Sequence, residues 1–184
     1  MKTGALRGFT FIELITTMAV GAILITFAMP TFTTLTMDKR ITTQTNDFIS
    51  TLMLARAESL KRVSRVTVCK SSNGTTCTVS GGWEQGWIVF ADPSNPATVD
   101  NGEAILQVHS TLDGDNTLRG TANVDDYISF VSSGSPRLTD GGFQSGTLVL
   151  CDERGAGDSA RAVNVSVTGR SRVETTAPDS CTPS

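Results

Sequence analysis

The sequence predicts an α+β fold: a long N-terminal α-helix packed on a C-terminal, antiparallel β-rich globular head. Three observations lead there. From Phe9 to Met29 run 21 residues whose only ionisable side chain is Glu13. Helical periodicity resumes after Pro30 and continues to about Arg65. From Val66 onward, short β-branched and aromatic runs alternate with clusters of Gly, Pro, Asn and Asp. Helix first and many strands afterwards is the α+β order.

At about 1.5 Å rise per residue, a helix over 9–29 spans the roughly 30 Å of hydrocarbon in a bilayer. Lys2 and Arg7 precede it, which reads as a chain held with its N-terminus in the cytoplasm and its body exported. A cleaved secretory signal would have an apolar core of about 7–15 residues and a small-x-small cleavage site. This run is longer, and Phe27-Ala28-Met29 does not supply that site. A plain anchor leaves Glu13 unexplained, because a carboxylate one turn inside a lipid-spanning helix is costly unless paired. A cut between Gly8 and Phe9 would create an α-amino group four residues before Glu13, and so a compensating charge from the same or a neighbouring copy.

Beyond Pro30, Ile41, Phe48, Leu52, Ala55, Ser59 and Val63 fall near one helical face, with Ile49, Met53 and Leu60 beside them. Arg56, Glu58, Lys61 and Arg62 lie largely on the other side, and Glu58 with Arg62 forms an i,i+4 pair. The upper half of the helix thus has one face to bury under a head. Strands are expected at Val66–Cys69, Trp87–Phe90, Ala104–Val108, Tyr127–Val131, Thr147–Leu150 and Ala162–Val167. The stretches Pro93–Asn101 and Leu112–Asp126 are expected to be loops.

The 184 residues suit one soluble domain plus an anchor. The formal charge of −3 becomes −5 on loss of Lys2 and Arg7, which argues against a generally cationic nucleic-acid binder but leaves room for a local basic patch. Four cysteines, Cys69, Cys77, Cys151 and Cys181, all follow the apolar run. An even count in an exported region favours disulfides, and three pairings are possible in principle. Cys69 and Cys77 bracket Asn73-Gly74, a strong hairpin signal, so a bridge across that hairpin is the natural first pair. Cys151 would then hold the C-terminal tail through Cys181. A zinc site would want C-x₂₋₄-C spacings, which neither pair has.

Catalysis has little support. His109 is the single histidine and follows a strand-like alternation, so a structural or surface place is expected for it. There is no nucleophile elbow and no phosphate-binding loop. Asp113-Gly114-Asp115-Asn116 lacks the spacing and closing Glu of a calcium loop and reads as a turn. No metal or cofactor is expected.

The segment Gly8-Phe9-Thr10-Phe11-Ile12-Glu13 resembles the processing site of type IV prepilins and type II secretion pseudopilins. The resemblance implies that a membrane-bound prepilin peptidase cuts after Gly8 and methylates Phe9. It also implies that Glu13 neutralises the N-terminal amine of an adjacent subunit. Residues 1–8 would be the leader, 9–65 the long helix with 9–29 in the membrane or filament core, and 66–184 the head. Pro30 falls where pilins carry a helix-disturbing proline. Gly82-Trp83-Glu84-Gln85-Gly86-Trp87-Ile88-Val89-Phe90-Ala91-Asp92, Asp100–Leu106 and Val163–Arg172 are similar to the head shared by the FimT/FimU minor pilins and the H pseudopilin of type II secretion. These are low-copy subunits associated with the filament tip and with starting assembly, so the expected fold is the type IV pilin fold. Expected partners are other major and minor pilins, the peptidase, and the bacterial inner membrane before assembly into an extracellular pilus.

Gly169-Arg170-Ser171-Arg172 matches a Gly-Arg-x-Arg motif that, in FimT-type minor pilins of competent bacteria, is associated with binding incoming DNA. Two guanidiniums beside a flexible glycine turn can grip phosphates largely independently of sequence. On a strand running from Val165 to Val173, Arg170 and Arg172 would share a face. The competing reading is a turn whose arginines pair with nearby acids such as Glu174 and Asp179. Taken alone, Trp83 and Trp87 read as core. The resemblance leaves two filaments open: a type IV pilus, with DNA uptake in natural transformation among its outputs, and the type II secretion filament.

Overall fold

The computed structural model describes residues 8–100, 102–157, 159–174 and 179–182, and only the backbone over 27–31. Most of the expected leader, residues 1–7, therefore lies outside the described residues. The chain divides into two units, Met1–Asp38 and Lys39–Ser184.

Helix α1 runs from Phe11 to Arg62, 52 residues, and is continuous at Pro30. In the first unit the large apolar side chains are exposed: Phe9, just before the helix, is 91% and Phe11 78% exposed, and Ile12, Leu14, Met18, Ile23 and Leu24 are also exposed. The threonines of this segment return their hydroxyls to the helix: Thr16 Oγ1 donates to the Ile12 carbonyl at 3.0 Å, Thr17 Oγ1 to that of Glu13 at 2.9 Å, and Thr26 Oγ1 to that of Ile23 at 2.6 Å. Bonded this way, a hydroxyl can sit in an apolar rod without an outside partner. Among the described residues, no helix is long and apolar enough to cross a membrane. The span expected at 9–29 ends in residues whose side chains lie outside the described set.

The second unit comprises two four-stranded antiparallel sheets. Its strands are β1 (Val66–Lys70), β2 (Trp87–Ala91), β3 (Ile105–His109), β4 (Thr117–Gly120), β5 (Tyr127–Phe130), β6 (Gly146–Cys151), β7 (Arg161–Val165) and β8 (Ser171–Val173). The orders are β3-β2-β1-β5 and β4-β6-β7-β8. One apolar cluster joins the helix to both sheets. Ile41, Phe48, Leu52 and Ala55 meet Val66, Val68, Val89, Ile128 and Phe130 of the first sheet and Leu118, Leu148, Leu150, Val163 and Val165 of the second. Phe48 stands edge-on to two buried indoles, 5.4 Å from Trp83 and 5.1 Å from Trp87. Each indole N–H is satisfied, Trp83 by the Val124 carbonyl at 3.1 Å and Trp87 by Thr51 Oγ1 at 3.2 Å. His109 stacks on Trp87 at 3.9 Å.

A disulfide sits on the outer face of each sheet. Cys69–Cys77 secures the loop over Ile88, Phe90 and Tyr127, and Cys151–Cys181 brings Cys181 against Val149, Ala160 and Ala162. β1 also buries Lys70 completely, where its ammonium meets the Asp126 carboxylate at 2.8 Å and the Gly81 carbonyl at 3.0 Å.

Three expectations change. Asn73-Gly74 does not turn a two-stranded hairpin. Asn73 Oδ1 accepts the Thr75 and Thr76 N–H groups, each at 2.9 Å, making an Asx-type loop, and β1 finds its partners in β2 and β5 instead. The expected loop at 112–126 contains β4 and a short 3₁₀ turn, Ala122–Val124. Its Thr-Leu-Arg-Gly strand is too short for alternation to reveal, and it is held by Glu84, which accepts the Leu118 N–H at 3.1 Å and pairs with Arg119. Val63 lies beyond the helix at φ 51° and is exposed, as are Met53 and Leu60. The face those residues were expected to fill is completed by Gln44, Thr45 and Thr51, buried polar residues bonded in place.

Phe48→Ala leaves the two indoles without the ring between them. It is expected to lower unfolding stability by about 3–5 kcal/mol, read from the shift in urea midpoint at unchanged slope.

Candidate functional site

At the helix start, Thr10 and Glu13 form a reciprocal cap. The Glu13 carboxylate accepts the Thr10 N–H and hydroxyl, each at 3.0 Å, and Thr10 Oγ1 accepts the Glu13 N–H at 3.3 Å. The spacing Thr-x-x-Glu is the sequence signal for this capping box, and it supplies a role for Glu13 that the apolar context alone does not suggest. The cap turns the carboxylate back toward the residues that follow Gly8. Its donors there are neutral, and among the described residues no cation pairs with Glu13.

The second candidate, Gly169-Arg170-Ser171-Arg172, proves to be a hairpin rather than one strand. β7 ends at Val165, and Ser166 closes the turn: its N–H donates to the Arg170 carbonyl at 3.0 Å and it accepts the Gly169 N–H at 2.9 Å. β8 then pairs back, placing Arg172 opposite Asn164 and Ser171 opposite Val165. Val163 and Val165 point into the core, so Arg172 lies on the opposite, outer face. Arg170 leaves the turn just before it. Both arginines are exposed, and among the described residues neither has an ion pair or side-chain hydrogen bond. Glu174 and Asp179 do not take them up.

Two glycines fix where this hairpin sits. Gly169 has φ 79°, and a Cβ there would lie 2.1 Å from the Gly134 carbonyl oxygen and 3.2 Å from Arg56 Nε. Gly134 has φ 74°, and a Cβ on it would also lie 3.2 Å from Arg56 Nε. The loop after β5, the β7–β8 turn and helix α1 therefore meet at one point, with the Arg56 side chain between two bare backbones. No local pattern announces this contact, because Arg56, Gly134 and Gly169 are far apart in sequence.

The other singled-out residues hold structure. Asp92 is fully buried and accepts Thr67 Oγ1 at 2.7 Å and the N–H groups of Asn95 and Ala97 at 2.8 and 3.2 Å. Burial pushes its carboxyl above the usual carboxylate range against those hydrogen bonds. The Asp113–Asn116 turn docks on the helix, where Gln44 Nε2 donates to the Asp113 carbonyl at 2.9 Å. Among the described residues, no group of three His, Cys, Asp or Glu is placed to hold a metal ion.

A long helix with an exposed apolar N-terminal stretch, its upper half buried by two antiparallel sheets, defines a pilin-type subunit. Residues 44–169 match the family described as Type II transport protein GspH, and the chain belongs to that family, one of structural pilins rather than enzymes. Among solved structures, the type IV minor pilin FimU of Pseudomonas aeruginosa PAO1 aligns with a TM-score of 0.60 at 18% identity, over 78% of this chain and 96% of that one. The minor pseudopilin EpsH from the type 2 secretion system of Vibrio cholerae aligns with a TM-score of 0.50 at 13% identity, over 76% and 98%. At such identities the likeness is one of fold. No curated protein matches the sequence. The family match ends at Gly169, so Arg170 and Arg172 lie just outside it, as do Phe9 and Glu13.

Gly169→Ala places a methyl group against the Gly134 carbonyl at a left-handed backbone position. The left-handed backbone alone costs about 1–2 kcal/mol, so a clear drop in the thermal midpoint is expected, larger than for Gly141→Ala, where nothing crowds the added Cβ.

Proposed function

We propose that this protein is a minor subunit of a type IV pilus. It is cut between Gly8 and Phe9 by a prepilin peptidase, methylated on Phe9, and held in the bacterial inner membrane by residues 9–29 until it joins the filament. It enters at low copy near the tip and helps start assembly, its apolar helix bundling with those of other major and minor pilins while its head faces the periplasm or the outside. The observation that carries this reading is the exposed apolar stretch from Phe9 to Ile25, leading into a head of the FimU type. Such a surface needs lipid or other helices to cover it.

In the filament, Glu13 meets the Phe9 amine of a neighbour. The cap with Thr10 makes the charge separable from the hydrogen bonds. Glu13→Gln keeps an oxygen that can accept from Thr10 and removes the negative charge. Incorporation of a tagged Glu13→Gln subunit into sheared filaments is expected to fall at least tenfold while its membrane level is unchanged. Undiminished incorporation would remove the charge role and leave Glu13 as a cap. Mass spectrometry of the filament-borne chain should find methylated Phe9 as its first residue.

The exposed, unpaired Arg170 and Arg172 support a further role: non-sequence-specific grip on DNA phosphates during uptake in natural transformation. With both changed to Gln, duplex affinity of the full chain should fall and the slope of log K against log salt should decrease by about two. The second reading is an H-type minor pseudopilin of a type II secretion system, favoured by the description of the matching family and the likeness to EpsH. Which filament co-purifies with the tagged chain separates the two.

A further inference from the structure

The last strand of a sheet offers its outward N–H and C=O groups to any other extended chain. The two sheets of the head end in four such strands, β3 and β5 in one and β4 and β8 in the other. Three of them are blunted. Along β5, the Arg137 N–H donates to the Ser129 carbonyl at 2.8 Å, while Gln144 accepts the Ser129 N–H and donates to the Tyr127 carbonyl, each at 2.9 Å. β4 is four residues long, carries Arg119, and gives its Leu118 N–H to Glu84. β8 is three residues long and carries Arg172. β3 is different. Ile105-Leu106-Gln107-Val108-His109 holds no Lys, Arg, Asp, Glu or Pro, and among the described residues no bridge lies along its free side.

We propose that β3 is a docking edge, to which an extended, basic segment of a partner protein adds as a further strand. Two observations join the free edge in support. First, the register of β3 on β2 shifts between Val89 and Phe90, so that Gln107 faces Val89, Ile105 faces Phe90 and Leu106 is the extra residue. In a regular strand Ile105 and Val108, three positions apart, would lie on opposite faces. The bulge puts both on one face, because Ile105 pairs with Phe90 and Val108 with Ile88, and residues directly opposite each other share a face. Ile88 and Phe90 are buried with Cys69 on the outer side of the sheet. At the edge, Ile105 is 36% and Val108 53% exposed. An added strand with β-branched or aromatic residues on that face extends the ladder and the apolar cluster together. Unpaired main-chain groups beside an apolar step select an extended backbone over a helix. Second, Asp100 and Glu103 stand just before β3, with Ser94 Oγ 3.0 Å from a carboxylate oxygen of each. Two carboxylates at the start of an edge that has no cation of its own favour a strand ending in Lys or Arg.

The test uses the full chain in detergent micelles and the capped peptide acetyl-Lys-Thr-Val-Thr-Val-Thr-Lys-amide, with binding followed by NMR titration and amide hydrogen exchange. Saturable binding is expected, with exchange slowed at the amides of β3. Val108→Lys and Ile105→Lys are each expected to weaken binding about fivefold or more at an unchanged thermal midpoint, since both side chains are exposed and a charge on an edge opposes pairing. A probe with Pro at its central position lacks the N–H needed for the ladder and is expected not to bind. A probe ending in Glu is expected to bind about threefold more weakly at low salt. Absence of saturable binding, protection at another site, or equal binding of the Pro probe overturns the docking edge. Should either variant fail to fold, the exchange map of the unaltered chain decides alone. Equal affinity for the Glu-ended probe overturns the basic character of the partner. A dimer of the unaltered chain that disappears in Val108→Lys identifies a second copy as the occupant and overturns the partner strand.

Discussion

Everything in the head depends on a single helical face shared by two sheets. The inner faces of the two sheets share one core: Val66, Val68 and Phe130 from one and Leu148, Leu150 and Val163 from the other converge on Ile41, Phe48, Leu52 and Ala55. A sheet with an uncovered apolar face is not stable in water, so each needs the helix, and through it the other sheet. Phe48 concentrates this dependence, because the two largest side chains of the core, Trp83 and Trp87, both pack on its ring. The polar residues in the same seam are tolerated because each is bonded where it stands, Thr51 to the Asp47 carbonyl and Gln44 to Asp113 and Asn116.

With the inner faces committed to the helix, each outer face carries a small apolar cluster of its own with a disulfide in it. Cys69–Cys77 closes a loop over apolar residues of the first sheet, and Cys151–Cys181 seats Cys181 on apolar residues of the second. A cross-link removes freedom mainly from the unfolded chain, which suits segments with no ladder to hold them. Turns and sheet edges are among the places where the head can meet other molecules. The exposed arginines of the β7–β8 hairpin are at such a place.

That hairpin shows how position can be imposed from a distance. Arg170 and Arg172 are exposed because β7 turns its valines inward, but where the turn lies is set by backbone contact between Gly169 and Gly134. Only residues without a Cβ let two backbones and an arginine side chain meet so closely. The helix, the loop after β5 and the hairpin thus meet at one point from three separate stretches of sequence. The family match covers residues 44–169 and so includes Arg56, Gly134 and Gly169 but not Arg170 and Arg172.

Much was legible in the amino acids themselves. The helix, its buried face from Ile41 to Ser59, and six of the strands follow from periodicity, because hydrophobic spacing reports which side chains leave water. The Gly8–Glu13 segment is equally local: its glycine, phenylalanine and acid lie within six residues, and even the Thr10–Glu13 cap can be read from spacing. What lay beyond the sequence was everything set by partners remote along the chain. Asn73-Gly74 carries a hairpin signal, yet β1 pairs elsewhere, since a strand buried on both sides gains more from two neighbours than from its own turn. β4 and β8, of four and three residues, exist only because β6 and β7 offer them ladders. The meeting of Arg56 with Gly169 is of the same kind: a contact between distant segments leaves no trace in the local pattern of either.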